Sequence, residues 1–250
     1  GSVLSALMTA TAQPLQYEVL GQPQVIREIK AALSATGVRV FDVEAFVISP
    51  QTQLERFKPA LELAAEFGAS HISAIGTEFA PQATFLSPEQ RVELFARLCD
   101  MAAQFGLTVG VEFMLYRDIR TWQEALALIE AAGRSNAGLI LDLLHFHRAG
   151  ANAADLAQIP PQRLAYAQLC DAAPQTLAVA DLPGEARTAR LHLGEGAIAL
   201  DAILAQLPAE LPLVIETPVT AEAALTSHAR ARLAAQRSQA YFAARAVRAP

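Results

Sequence analysis

Four times this chain closes a helix-patterned segment on a glycine and passes directly into an apolar strand. Val25, Ile26, Ile29, Ala32 and Leu33 recur at helical intervals until Gly37, and V-R-V-F-D-V-E-A-F-V follows. The segments ending A-A-E-F-G at Gly68, A-A-Q-F-G at Gly106 and E-A-A-G at Gly133 run into H-I-S-A-I-G, L-T-V-G-V-E-F-M and G-L-I-L-D. Glycine takes the left-handed backbone that ends a helix without steric cost. The joints recur roughly every 25 to 40 residues, the length of a right-handed βα crossover unit. Strands and helices alternating in this way imply a parallel sheet.

Later units are less regular. L-A-Y-A-Q-L-C-D centres a strand within Pro161–Asp171, residues 173–190 read as a polar loop with Pro and Gly, A-L-D-A-I-L-A-Q-L is a short helix at 199–207, and L-P-L-V-I-E-T-P closes the strands. An Ala- and Arg-rich helix is expected over 221–247, with an apolar stripe of Leu225, Leu233, Ala240 and Phe242. At the other end, Val3–Met8 is apolar enough for a weak strand and Thr9–Gln22 reads as a loop, so 1–22 forms a poorly defined N-terminal segment. With the weak one included, seven strands result. The 250 residues, 53% of them hydrophobic, suffice for one (β/α) barrel or two small domains.

A net charge of −6 and a pI near 5.4 argue against a nucleic-acid-binding surface, which needs clustered Lys and Arg. Cys99 and Cys170 have no close-spaced partner for a zinc or redox motif and read as reduced thiols of a cytoplasmic protein. No apolar run approaches the roughly 20 residues of a membrane span, and no signal peptide is visible. Gly1 and Ser2, with no initiator Met, read as a cloning scar.

The polar residues fall where the strands end. Glu112 follows V-G-V, Asp142 follows L-I-L, Gln168 follows A-Y-A and Glu216 follows L-V-I, so four successive strands each present an oxygen ligand. Ligands of α/β folds gather at the C-terminal strand ends. Three carboxylates this deep in apolar strands need a counter-charge, because an unpaired buried charge costs several kcal/mol. A divalent cation supplies it, and oxygen ligation suits Mn²⁺ or Mg²⁺ better than Co²⁺ or Zn²⁺. Each residue alone has a blander reading: Asp142 could cap the next helix, His145 could be a hydrogen-bonded core histidine, and Glu44 could be a packing residue facing the same mouth. His71, His147 and His228 read as structural or surface residues, and Trp122 as packing.

The set V-E-F-M, L-D-L-L-H-F, A-Q-L-C-D, R-L-H-L-G-E-G and V-I-E-T-P resembles the xylose isomerase-like TIM barrels of the sugar phosphate isomerase/epimerase superfamily, over roughly residues 20 to 220. The resemblance implies a single (β/α)8 TIM-type barrel domain over 1–250, with the first βα unit missing or degenerate. It implies a metal held by Glu112, Asp142, Gln168 and Glu216, with His145 and Arg190 contacting substrate oxygens. The strand-seven ligand of the family is usually His. Gln168 departs from that pattern and is similar to members resembling 3-dehydroshikimate dehydratases. A barrel lacking a strand would leave two unpaired edges, to be covered by a partner chain, which favours a homodimer, or by the first residues, unless the chain is trimmed.

Such a site is suited to a metal-dependent isomerase or epimerase acting on a keto-sugar or polyhydroxy keto acid. Chelation of a carbonyl and its neighbouring hydroxyl would acidify the C–H between them and stabilise the enediolate, with Glu112 and Glu216 as catalytic proton carriers. Expelling a β-hydroxyl instead would make the same site a dehydratase-like lyase. Phe113, Met114, Leu144 and Phe146 beside the ligands suggest a substrate less polar than a free hexose. A nuclease of the AP-endonuclease type would need further His ligands and a basic face, and neither is present. A non-catalytic, degenerate barrel is the remaining reading and would bind no stoichiometric ion.

Overall fold

The computed structural model describes residues 19–246, so the strand expected at Val3–Met8 lies outside the described residues. Six parallel strands stand side by side in chain order: β1 (Asp42–Val47), β2 (His71–Ile75), β3 (Thr108–Glu112), β4 (Ala137–Asp142), β5 (Leu164–Leu169) and β6 (Leu213–Ile215). The larger helices are α1 (Pro23–Thr36), which precedes β1, then α2 (Lys58–Glu66), α3 (Pro88–Ala103), α4 (Trp122–Ala132), α5 (Leu143–Arg148), α6 (Leu182–Thr188), α7 (Leu200–Leu204) and α8 (Ser227–Ala246). The architecture is that of a TIM-type barrel in which six strands are described and β1 and β6 are the sheet edges. None of the described helices is long and apolar enough to cross a membrane.

The four glycine joints form as the sequence demands. Gly37, Gly68, Gly106 and Gly133 have φ of 68°, 75°, 71° and 62°. At the opposite ends of the helices, Ser87 and Gln90 form a reciprocal capping box on α3, and Thr121 accepts from Glu124 N on α4. With its ends fixed, each helix lays an apolar stripe on the strands beside it. Phe95, Leu98 and Cys99 of α3 and Ala125, Leu128 and Ile129 of α4 are fully or nearly fully buried.

The strand register aligns the polar ends. Ile75 pairs with Glu112, Glu112 with Ile140, Asp142 with Gln168, and Glu216 N donates to Leu169 O at 3.0 Å. Side chains also cross the lumen between strands that are not neighbours: Tyr166 Oη donates to Asp42 Oδ2 at 3.2 Å, and Gln168 Nε2 to Glu44 Oε1 at 3.0 Å. β5 and β1 therefore share the inner face of the barrel.

Two expectations change. The segment 173–190 contains α6, which buries Leu182, Glu185 and Ala186 and is tied down by the Arg148–Glu185 ion pair. Its Pro and Gly sit in the first turn of that helix, where neither breaks it. The C-terminal helix starts at Ser227, and its inward face runs through Leu233, Ala234, Ser238, Tyr241 and Phe242, whereas Ala240 and Leu225 are exposed. Ser238 turns inward because its hydroxyl is satisfied by Ala234 O within the helix.

β3 and β4 approach closely at Gly110. A Cβ there would come within 2.7 Å of Ile140 Cδ1 and nearer still to Cγ1, deep in the barrel. Gly110→Ala should therefore destabilise the fold by about 1–3 kcal/mol through overpacking, seen as a fall of several degrees in Tm. An unchanged Tm would mean that Ile140 can move aside.

Candidate active site

Asp142 is the last residue of β4 and also the N-cap of α5. Its Oδ1 accepts from Leu144 N at 2.7 Å and His145 N at 3.1 Å, so the expected capping role is real. The other oxygen, Oδ2, accepts from Arg190 Nη1 at 2.7 Å, and both residues are buried. Capping and charge pairing are thus two halves of one carboxylate. Because α5 begins at once, His145 is carried from the first turn of that helix into the site.

His145 Nε2 lies 3.7 Å from Glu112 Oε1 and has no hydrogen-bond partner among the described residues. Ligand atoms of Glu112, Asp142 and His145 lie within 4.8 Å of one another. Gln168 donates through Nε2 to Glu44 and its Oε1 has no partner, and Glu216 offers Oε1 to Arg190 Nη2 at 3.2 Å while Oε2 has none. The structure thus brings together every residue named from the strand ends. Asp142 is the most enclosed: Glu112, His145, Gln168, Arg190 and Glu216 line a pocket of about 840 Å³, and Asp142 lies behind Arg190.

The charge balance is uneven. One guanidinium faces the carboxylates of Glu112, Asp142 and Glu216, so full ionisation would leave two negative charges uncompensated. Burial, with Asp142 and Glu216 nearby, pushes Glu112 well above the usual carboxylate range. Burial likewise outweighs the attraction of Arg190 and lifts Glu216 to about 7. For Asp142 burial acts upward, but Arg190, His145 and the backbone donors prevail and hold it below its ordinary value. Burial takes His145 down to about 4, leaving a neutral imidazole. A pocket with unpartnered buried polar atoms on His145, Gln168, Glu216 and Thr217, beside carboxyl groups that cannot all ionise on one guanidinium, fits a divalent cation.

Other residues also meet here: Glu44, expected as a packing residue facing the same mouth, and several that strand-end reading did not select. Asp42 and Glu44, two apart on β1 and so on one face, line the pocket opposite Gln168. Burial, a hydrogen bond to Asp42 and the neighbouring acids raise Glu44. Arg117, Glu78 and Arg187 complete the pocket from three different connections. Nothing in their local sequence separates them from surface charges. Asp171 is a further omission: buried, it accepts from Ala172 N, Gly194 N, Gly196 N and Ile198 N, anchoring the loop that follows Arg190. The G-E-G run, whose amide groups need an acceptor, was the available signal. Among the apolar neighbours, Phe113, Leu144 and Phe146 are buried in the core and only Met114 lines the pocket, so they report packing and not substrate polarity. Trp122 is buried at the start of α4. Cys99 and Cys170 are free and buried, their thiols pushed up to about 12 by desolvation.

A carboxyl raised by burial keeps in the folded state a proton that the unfolded chain has already lost, so stability falls as pH rises from its ordinary pKa to its folded one. For Glu216 that interval runs from 4.5 to about 7. In the presence of a chelator Tm should therefore drop between pH 5 and pH 8, and Mn²⁺ should reduce or reverse the drop. A Tm that rises over this interval without divalent ion would contradict the charge balance.

A family model described as xylose isomerase-like TIM barrel matches residues 7–240. An inosose isomerase from Halalkalibacterium halodurans is 35% identical over 89 residues, which are 36% of this chain and 30% of that protein. The match thus spans less than a third of the length of that curated relative. Among solved structures, an IolI protein crystallised with a zinc atom superposes with a TM-score of 0.72 at 19% identity, covering 86% of this chain and 82% of its own. The probable 3-DHS dehydratase AsbF from Bacillus anthracis superposes with a TM-score of 0.62 at 19% identity, covering 78% and 75%. At these identities the superpositions show a shared fold.

Proposed function

Since the chain belongs to the xylose isomerase-like TIM barrel family, we propose that it is a divalent-metal-dependent sugar isomerase or epimerase acting by proton transfer next to a carbonyl. The observation that carries this reading is that His145, Gln168 and Glu216 each bring an unpartnered buried polar atom to the pocket that Glu112 also lines. Glu112, Asp142, Gln168 and Glu216 would hold Mn²⁺ or Mg²⁺. When bound, the ion would polarise a substrate carbonyl and acidify the adjacent C–H.

The remaining chemistry belongs to the chain. Glu112 at the end of β3 and Glu216 just after β6 come from strands separated by β4 and β5, which suits one to remove a proton and the other to return it. Arg190 keeps Asp142 ionised and fixes one oxygen of Glu216, so its contribution is to hold the carboxylates in register. Neutral His145, with Nε2 free, can accept a hydrogen bond from a substrate hydroxyl or donate one to a carbonyl oxygen, depending on its tautomer. A keto-sugar or a polyhydroxy keto acid meets these groups.

A dehydratase-like lyase is the second reading, favoured by one observation: a neutral amide, Gln168, at the end of β5 where the family usually has His. The two reactions separate cleanly. An isomerase or epimerase should exchange a substrate C–H for deuterium in D₂O without gaining an ultraviolet chromophore. A dehydratase of a cyclic keto acid should produce a conjugated absorbance.

Metal analysis and thermal melts test the reading. The purified protein should bind about one equivalent of Mn²⁺ and gain Tm on its addition, as any ligand of the folded state requires. Glu216→Gln and Asp142→Asn should both lose the ion. Asp142→Asn should in addition cost about 3–5 kcal/mol, because it leaves the buried Arg190 without its main partner. Absence of binding and of any Mn²⁺-induced shift would leave a non-catalytic barrel.

A further inference from the structure

The pocket holds a second, positively charged group of side chains that proton transfer does not use. Arg117, in the connection after β3, donates from Nη1 to Gly76 O at 2.8 Å and from Nη2 to Glu78 Oε2 at 3.0 Å. Its Nε has no partner among the described residues, although the side chain is only 12% exposed. Arg187 on α6, 56% exposed, donates to the same Glu78 oxygen at 2.7 Å. All three line the pocket that contains Glu112 and His145.

Two guanidinium groups thus share one carboxylate oxygen, leaving a net positive charge and an unspent buried donor. The rest of the wall is acidic, with Asp42, Glu44, Glu112 and Glu216. Depth follows exposure: Arg187 is open to solvent, Arg117 mostly covered, and Glu112 buried. Arg117 also lowers the proton affinity of both Glu112 and His145, so its field reaches the buried end. Arg190 is committed elsewhere, with Nε on Ala186 O, Nη1 on Asp142 and Nη2 on Glu216.

We propose that Arg117 and Arg187 form an anion clamp at the mouth of the pocket, selecting a polyhydroxylated substrate that carries a carboxylate or a phosphate, with Glu78 holding the place of that anion. The inference rests on reading the pocket as a substrate site. Planar guanidinium groups recognise either oxyanion through paired donors, and a substrate anion can replace the Glu78 carboxylate between them. A neutral sugar has no group that can do so.

Calorimetric titration of the full chain in Mn²⁺ tests the clamp, with D-fructose 6-phosphate against D-fructose, shikimate against its methyl ester, and inorganic phosphate for the clamp alone. At least one charged ligand should bind about tenfold or more tighter than its neutral partner, a difference of about 1.4 kcal/mol. The pair that discriminates identifies phosphate or carboxylate as the anion. Arg187→Gln should weaken the charged ligand about tenfold, while Glu78→Gln, which removes the competing carboxylate, should tighten it. Neither should move the neutral ligand. Equal affinities within both pairs, no binding of any anion, or Arg187→Gln and Glu78→Gln shifting affinity in the same direction would overturn the clamp. Mn²⁺ titration of the same samples separates the two readings. One equivalent of Mn²⁺ without charge discrimination sinks the clamp alone, whereas discrimination without Mn²⁺ binding sinks the ion site and leaves the clamp standing.

Discussion

The carboxylate of Asp142 ties the end of β4 and the start of α5 to Arg190, and through it to Glu216. One oxygen satisfies two backbone donors at the start of α5, and the other holds Arg190, which comes from the far side of the chain's sixth helix. Cutting a strand directly into a helix, with no loop between, places His145 one turn beyond the strand end. The ion pair then fixes Arg190, and through it one oxygen of Glu216. A buried pair of this kind adds little stability over an apolar core, because desolvation consumes most of its Coulomb energy. Its value lies in geometry, since losing either partner would strand a charge.

The neighbourhood tolerates its excess of acid because two of the carboxyl groups can keep their protons. Glu112 and Glu216 respond to burial by holding their protons more tightly, while Asp142, which owns the guanidinium, does not. Local instability of this sort concentrates at functional sites, where folding energy is spent on a group poised to bind or react. Glu44 extends the pattern across the lumen: it takes the amide nitrogen of Gln168 and leaves the buried amide oxygen without a partner. The barrel's inner face therefore fixes the orientation of the neutral Gln168 amide as well as that of the acidic side chains.

Asp171 performs the corresponding task for backbone. Four amide groups from residues 172 to 198 converge on its two oxygens, and Asp171 and Leu191 exchange a pair of main-chain bonds. Gly196 is needed because a Cβ would strike Ala172 O and the Asp171 carboxylate. The segment carrying Arg190 is thereby held to the end of β5, so the arginine arrives in the site on a rigid support. Anchored supports of this kind are what let residues from separate connections meet with fixed spacing.

Local sequence determined the elements and the inner ring of the site. Glycine stops, helical spacing and strand propensity located β1 to β6 and most of the helices, and an acidic or amide residue after each apolar run marked Glu112, Asp142, Gln168 and Glu216, because a charge at the end of a buried strand is too costly to be incidental. Two kinds of information were not local. A helix beginning within a Pro- and Gly-containing stretch, α6, depends on the burial of Leu182 and Ala186 and on the Arg148–Glu185 pair, which only the folded chain supplies. Asp171, Glu78, Arg117 and Arg187 carry no periodic signature, since all but one of the partners named for their side chains lie 23 to 109 residues away. Which strand ends are polar is written in the local chain; which of those groups face each other is decided by tertiary structure. Coulomb and hydrogen-bond energies depend on distance in space, and the chain brings those distances into being only when the sheet curves its ends into one pocket.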